Sequence, residues 1–218
     1  MIYLIKITFA VLVLLPLASM ADLLHIELGA ANYDSYSSHK EDSPKRFEVL
    51  KKTLEDLVTQ YGKKGTIYLN DIIPEGLELA MNFAKSWAQA QGYAEIKFIP
   101  LLGDYMQMEL PKVKSLHLTN PTWLQLPNQT YPQDRKKLTR VLEKVASSSE
   151  SGLVITTYFL NEMRYLNQNL SSSYQFIQTQ KKGYQYFYSS GEDPGYGKPD
   201  VFIIKPKATS CPSFFIAK

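Results

Sequence analysis

Cysteine is almost missing from this 218-residue chain. The single one, Cys211, excludes an internal disulfide, so a packed core rather than a crosslink must hold the fold. No histidine lies near it and no nucleophile signature surrounds it, so it reads as a small apolar residue near a C-terminal strand. Histidine is scarce as well: His25, His39 and His117 are far apart, with no carboxylate or cysteine at metal-ligand spacing, and no metal site is expected. An excess of one charge is also lacking, because 24 basic against 21 acidic residues leave a formal +3, too balanced to imply a polyanionic partner. Neither a Gly-x-Ser-x-Gly elbow nor a phosphate-binding Lys-Ser/Thr loop occurs, which argues against hydrolase and P-loop chemistry.

A long apolar run occurs at the start. Ile7 to Leu17 follows Lys6 and precedes the small residues Ala18-Ser19-Met20-Ala21, the layout of a secretory signal peptide cleaved near Ala21. The run is short for a membrane span, which needs ~20 apolar residues. Residues 1–21 are therefore expected to be a signal peptide or N-terminal anchor, and 22–218 one domain. The expected location is exported, periplasmic or secreted, with a membrane-anchored form as the alternative. At 44% hydrophobic residues, the remainder suffices for one sizeable core.

The stretch LLHIELGAANYD, Leu23 to Asp34, reads as an apolar strand that reaches an acid, Glu27, and turns at Gly29. Ser43-Pro44 then starts a helix whose stripe is Phe47, Leu50, Leu54, Leu57, Val58 and Tyr61, stopped by Gly62. Thr66 to Asn70 is a strand ending at Asp71. Pro74 opens a helix carried by Leu77, Leu79, Ala80, Phe83, Ala84, Trp87 and Ala88 to Gly92. Ile96 to Leu102 and Val113 to Leu118 are strands, ended by Gly103-Asp104 and by Thr119-Asn120-Pro121. A helix over Gln133 to Ala146, a strand over Leu153 to Phe159 and a short helix over Asn161 to Leu170 follow. From Tyr174 the pattern alternates with period two, including Tyr184, Tyr186 and Tyr188, before a last strand, Asp200 to Ile204. The ending points to antiparallel strands added to a parallel sheet.

Open α/β sheets bind ligands outside the carboxyl ends of their strands, so the acids and turns at those ends are the candidate site. Each has a simpler reading beside it. Glu27 could be a strand acid satisfied by backbone amides, Asp71 a cap for the helix near Pro74, Asp104 a turn former, and Asn120-Pro121 a strand-ending turn. Gly29 to Asp34 does not match Gly-x-Gly-x-x-Gly, which weakens a nicotinamide-dependent oxidoreductase reading.

Taken in order, these strand ends resemble a class I S-adenosylmethionine-dependent methyltransferase over nearly the whole of 22–218. Glu27-Leu28-Gly29-Ala30-Ala31-Asn32-Tyr33 resembles the acidic, glycine-rich first loop, and the resemblance gives Glu27, Gly29 and Ala31 to the cofactor's methionine part. Asp71, with Ile72 beside it, resembles the acid that accepts from the ribose hydroxyls, since a carboxylate can accept from both. Gly103-Asp104-Tyr105 resembles the region of the family's acid near the adenine amino group, with Tyr105 or Met106 placed to cover the ring. Asn120-Pro121-Thr122-Trp123 resembles the Asn/Asp-Pro-Pro-aromatic loop of nitrogen methyltransferases. That resemblance makes Asn120 the acceptor of an amine's protons and Trp123 a stacking platform.

The fold class implied is α/β, a doubly wound, mostly parallel, methyltransferase-like Rossmann sheet with antiparallel C-terminal strands. S-adenosylmethionine is the cofactor implied, and the methyl acceptor is unassigned, a nitrogen of an amide or base being favoured. The alternative is a catalytically inactive, exported binding module of the same fold. Ala31 and Tyr33 stand where the family has its second and third loop glycines, and Thr122 replaces the second proline. Tyr33 could not copy a glycine with positive φ without strain.

Overall fold

The computed structural model describes residues 22–30, 47–119, 135–157, 160–179 and 200–207. The expectations for residues 1–21, Ala31, Tyr33, Asn120, Trp123, Tyr184 to Tyr188 and Cys211 fall outside them.

Eleven elements follow one another as β1 (Leu23–Leu28), α1 (Glu48–Tyr61), β2 (Gly65–Asp71), α2 (Pro74–Ala90), β3 (Ile96–Leu102) and β4 (Ser115–Thr119), then α3 (Arg135–Ala146), β5 (Leu153–Thr157), α4 (Leu160–Asn169), β6 (Tyr174–Thr179) and β7 (Asp200–Pro206). The strands make one seven-stranded sheet in the order β3-β2-β1-β4-β5-β7-β6. β1 to β5 run parallel, whereas β7 is antiparallel to both β5 and β6. The expected fold class, a doubly wound and mostly parallel sheet with antiparallel strands at its C-terminal end, is the one observed.

Strand parity explains the two helical layers. Successive side chains in a strand point to opposite faces, so Leu23, Ile67, Leu69, Ile96, Val154 and Ile203 share one face. Leu50, Leu54 and Leu57 of α1 and Leu77, Ala80, Met81, Ala84, Trp87 and Ala88 of α2 pack there. Ile26, Leu28, Leu116, Leu118, Ile155 and Phe202 point the other way, onto Leu142 and Val145 of α3 and Met163 and Leu166 of α4. The central strands are buried on both sides, and β5 is buried along its whole length.

Two sequence expectations shift. Leu79 is 42% exposed rather than part of the α2 stripe, because it lies two residues, some 200° of helix, beyond Leu77, while Met81 occupies the buried face. The fourth strand starts at Ser115, two residues later than its apolar pattern suggests, since Val113 makes only an isolated bridge to Ser149.

Candidate functional site

The strand order reverses between β1 and β4. Chain leaving β1 passes over one face through α1, and chain leaving β4 reaches α3 on the opposite face, so the two connections diverge at the carboxyl ends of these neighbouring strands. Such a switch point is where open α/β sheets form a ligand crevice. Glu27, Gly29, Asp71, Gly103 and Asp104 all lie at or next to this edge, because Leu28 is in register with Asn70 and Asp71 with Leu102.

The β2–β3 side of the edge has the form of a ligand shelf. Asp71 is 4% exposed, and its Oδ1 accepts the N–H of Ile73 at 2.9 Å, so its carboxylate shapes the turn into α2. The Ncap position itself, Ile73, has no side-chain cap, and Pro74 begins the helix. On either side of Asp71 stand large apolar side chains in water: Ile72 is 60% exposed and Leu102 56%. Exposed apolar surface grouped around a buried acid is informative, since each buried Å² of such surface is worth about 25 cal/mol.

Gly103 donates its N–H to the Asp71 carbonyl at 2.9 Å and has φ 140, a conformation that side chains rarely adopt. Among the described residues a Cβ there would meet only the sulfur of Met108, 3.9 Å away, which leaves room for a ligand to approach the backbone closely. Gly29 makes the corresponding turn after β1, at φ 65, and the next N–H, that of Ala30, bonds the Asn70 carbonyl at 2.8 Å. Asn70 adds a feature that the sequence reading missed. Its amide nitrogen donates to the carbonyls of Leu101 at 2.8 Å and Gly103 at 2.9 Å, while Oδ1 is buried and has no hydrogen-bond partner among the described residues. The carbonyl partners fix the orientation of the amide, because a flipped group would set oxygen against oxygen.

Three predicted site residues are engaged elsewhere. Asp104 accepts the N–H of Met106 on Oδ1 and the side-chain amide of Gln107 on Oδ2, both at 2.9 Å, so its carboxylate stabilises its own turn. Tyr105 is half-buried against the core on the α3–α4 side. Glu27 is fully buried on the α1 face, and one of its oxygens, Oε2, lies 2.9 Å from His117 Nδ1 and 3.3 Å from His25 Nε2. His25 Nδ1 meets the Ser115 hydroxyl at 2.8 Å, and His117 Nε2 meets that of Thr156 at 2.9 Å. Burial raises the Glu27 pKa, but the charge and hydrogen bond of His117, followed by those of His25, outweigh it and hold the carboxyl at about 2. Burial lowers the pKa of His25, against smaller raising effects from Glu27.

This strip joins β1, β4 and β5, which the reading of widely spaced histidines did not foresee. A signal was present: His25 with Glu27, and Ser115 with His117, are polar pairs at i and i+2 inside strands that otherwise read as apolar runs. Among the described residues, no group of three or more His, Cys, Asp or Glu is arranged to hold a metal ion. A cleft of about 210 Å³, lined by Arg164, Asn167, Phe176, Gln178 and Phe202, lies on the β6–β7 side, away from Asp71.

No family model and no curated protein matches the sequence. Among solved structures, the chain is similar to an S-adenosylmethionine-dependent O-methyltransferase from Thermotoga maritima, with 11% identity over 88% of this chain and 62% of that one, at a TM-score of 0.47. It is similar to magnesium protoporphyrin IX methyltransferase from Synechocystis with bound SAH, with 10% identity over 86% and 76% of the two chains and a TM-score of 0.46. A third similarity is to an S-adenosylmethionine-dependent methyltransferase from Aquifex aeolicus, with 14% identity, 85% and 82% coverage and a TM-score of 0.43. The doubly wound architecture itself is carried by the strand order and register described above.

Proposed function

We propose that the carboxyl edge of β1, β2 and β3 binds S-adenosylmethionine and that the protein is a methyltransferase. The observation that supports this most is the shelf at the end of β2: a buried carboxylate, Asp71, between the exposed Ile72 and Leu102, beside the open backbone of Gly103. Those groups fit the adenosine half of the cofactor. A carboxylate accepts from a pair of ribose hydroxyls, aliphatic side chains cover the faces of a purine, and Asn70 Oδ1 is an acceptor suited to an exocyclic amine. Bound there, the cofactor supplies an electrophilic sulfonium methyl. The chain's own task is then alignment and exclusion of water.

The fit is poorer at the methionine half. There Glu27 offers no exposed carboxylate, and at the adenine end Asp104, which the resemblance sets beside the amino group, is engaged in its own turn. For the acceptor we propose a nitrogen of an amide or base, aligned by Asn120 and stacked on Trp123. Export of the mature chain through residues 1–21 is part of the same proposal.

The withdrawal of Glu27 favours a second reading, in which the fold has kept a nucleoside-binding shelf and lost transfer. Calorimetry with S-adenosylmethionine and its demethylated product tests the binding that both readings share. Incubation with methyl-labelled cofactor and amide, amine and base acceptors separates them, because only the first reading predicts label in the acceptor.

A further inference from the structure

The strip formed by Ser115, His25, Glu27, His117 and Thr156 lies just below the carboxyl ends of β1 and β4, where the proposed ligand crevice would open. Glu27 stands two residues before the Gly29 turn, and Thr156 pairs in register with Thr119, the last residue of β4. Every member is at most 2% exposed.

The hydrogen bonds fix the protons. With both rings donating to the carboxylate, His25 carries a proton on Nε2 and His117 one on Nδ1, so Ser115 must donate its hydroxyl hydrogen to Nδ1 of the neutral His25. The single charge of Glu27 can balance one imidazolium. A second proton, on His25, finds no second anion beside it among the described residues and turns Nδ1 from an acceptor into a donor aimed at a hydroxyl that now points the wrong way. Burial and the charge of His117 both oppose that proton.

The other groups facing the strip supply little relief among the described residues. α1 contributes the buried Thr53 and, at its end, Tyr61, whose hydroxyl bonds Ser115 and Ser151 and feels the charge of Glu150. β2 presents Ile67 and Leu69, and β5 adds Val154. β7 contributes Lys205, buried on the same face two strands beyond β4.

We propose that this strip is an acid-released latch: proton uptake by His25 frees β1 from β4 and so lowers ligand affinity at the crevice above. The coupling to affinity rests on the reading of that crevice as the cofactor site. The latch itself does not.

The test is a comparison of the full mature chain with His25→Gln, whose side-chain amide can still donate to Glu27 but takes up no proton. S-adenosylhomocysteine is titrated calorimetrically from pH 8 to pH 5, and urea unfolding is followed without ligand over the same range. The latch predicts that wild-type affinity falls about tenfold or more once His25 must be protonated, roughly one decade per pH unit, and that the urea midpoint falls with it. His25→Gln is expected to stay within about twofold over that range. A flat wild-type profile, or a variant that follows wild type, overturns the proposal. Absence of binding at every pH overturns the cofactor reading and with it the coupling, and the ligand-free unfolding profile then decides the latch. If His25→Gln does not fold, imidazole NMR of wild type decides instead. The latch requires the His25 ring to titrate below its ordinary value together with shifts of the β1 and β4 amides, and a His25 titration that leaves those amides unmoved refutes it.

Discussion

The Glu27 carboxylate and the His117 ring meet at 2.9 Å across the boundary between β1 and β4, where the sheet reverses its winding. Both side chains are out of water, so this contact joins two strands that no short connection joins. Removing one member of a buried, hydrogen-bonded charge network leaves the rest desolvated and unpaired. Glu27→Ala is therefore expected to cost about 3–5 kcal/mol in urea unfolding, in line with other broken buried pairs. A loss below about 1 kcal/mol would show that the network contributes little, as is usual for exposed pairs.

The acid limb of stability should have two parts. Burial holds the folded pKa of His25 below its ordinary 6.5, so the stability from its neutral form is present above 6.5 and is lost as pH falls below it. Glu27 has a folded pKa of about 2 against 4.5, so its contribution is present above 4.5 and is lost between 4.5 and 2. The Ser171 backbone N–H and Arg140 hold Glu143 below 4.5 against the effect of burial, so it adds to the lower part. Unfolding free energy measured from pH 8 to pH 2 should show losses in both windows, and Glu27→Gln should remove much of the lower one.

Close approach of backbones gives a contrast between two glycines. A Cβ on Gly65 would lie 2.0 Å from the carbonyl oxygen of Leu23, while one on Gly92 would meet nothing within 4 Å. Both have positive φ, so both alanine variants carry backbone strain of about 1 kcal/mol or more, but only Gly65→Ala also forces β1 away from β2. Thermal unfolding should rank Gly65→Ala well below Gly92→Ala. Equal midpoints would contradict the close packing of β1 on β2.

The shelf at the β2 edge predicts a separable effect on ligand. Ile72 is largely in solvent, so Ile72→Asp should leave the unfolding midpoint nearly unchanged and weaken binding of S-adenosylhomocysteine by tenfold or more, as a charge replaces the apolar cover. Unchanged affinity in a folded variant would remove Ile72 from the site.

Much of the fold was legible because apolar periodicity and strand-end punctuation agree. The stripe from Phe47 to Tyr61, the glycine and acid stops at Gly29, Asp71 and Gly103, and the period-two pattern from Tyr174 each fix an element without reference to the others. Leu79 was misplaced because residue type alone cannot say which of several apolar side chains faces the core. The site was less legible. Asp71 and Ile72 are local to one strand end, whereas the His25–Glu27–His117 strip depends on which strands become neighbours. That adjacency crosses 90 residues between His117 and Glu27, and no spacing along the chain encodes it. Asp104 shows the opposite limit: an acid after a glycine serves a turn and a ligand equally well in sequence, and only the bonds from Met106 and Gln107 decide.

Calorimetric titration of the mature chain and of Asp71→Ala with S-adenosylmethionine and S-adenosylhomocysteine, at pH 8, tests the proposed cofactor site most directly. The account predicts saturable binding of at least one of them by the wild type and a loss of tenfold or more, about 1.4 kcal/mol, in a variant that still unfolds cooperatively. No binding by the wild type, or equal affinity in both proteins, would contradict it.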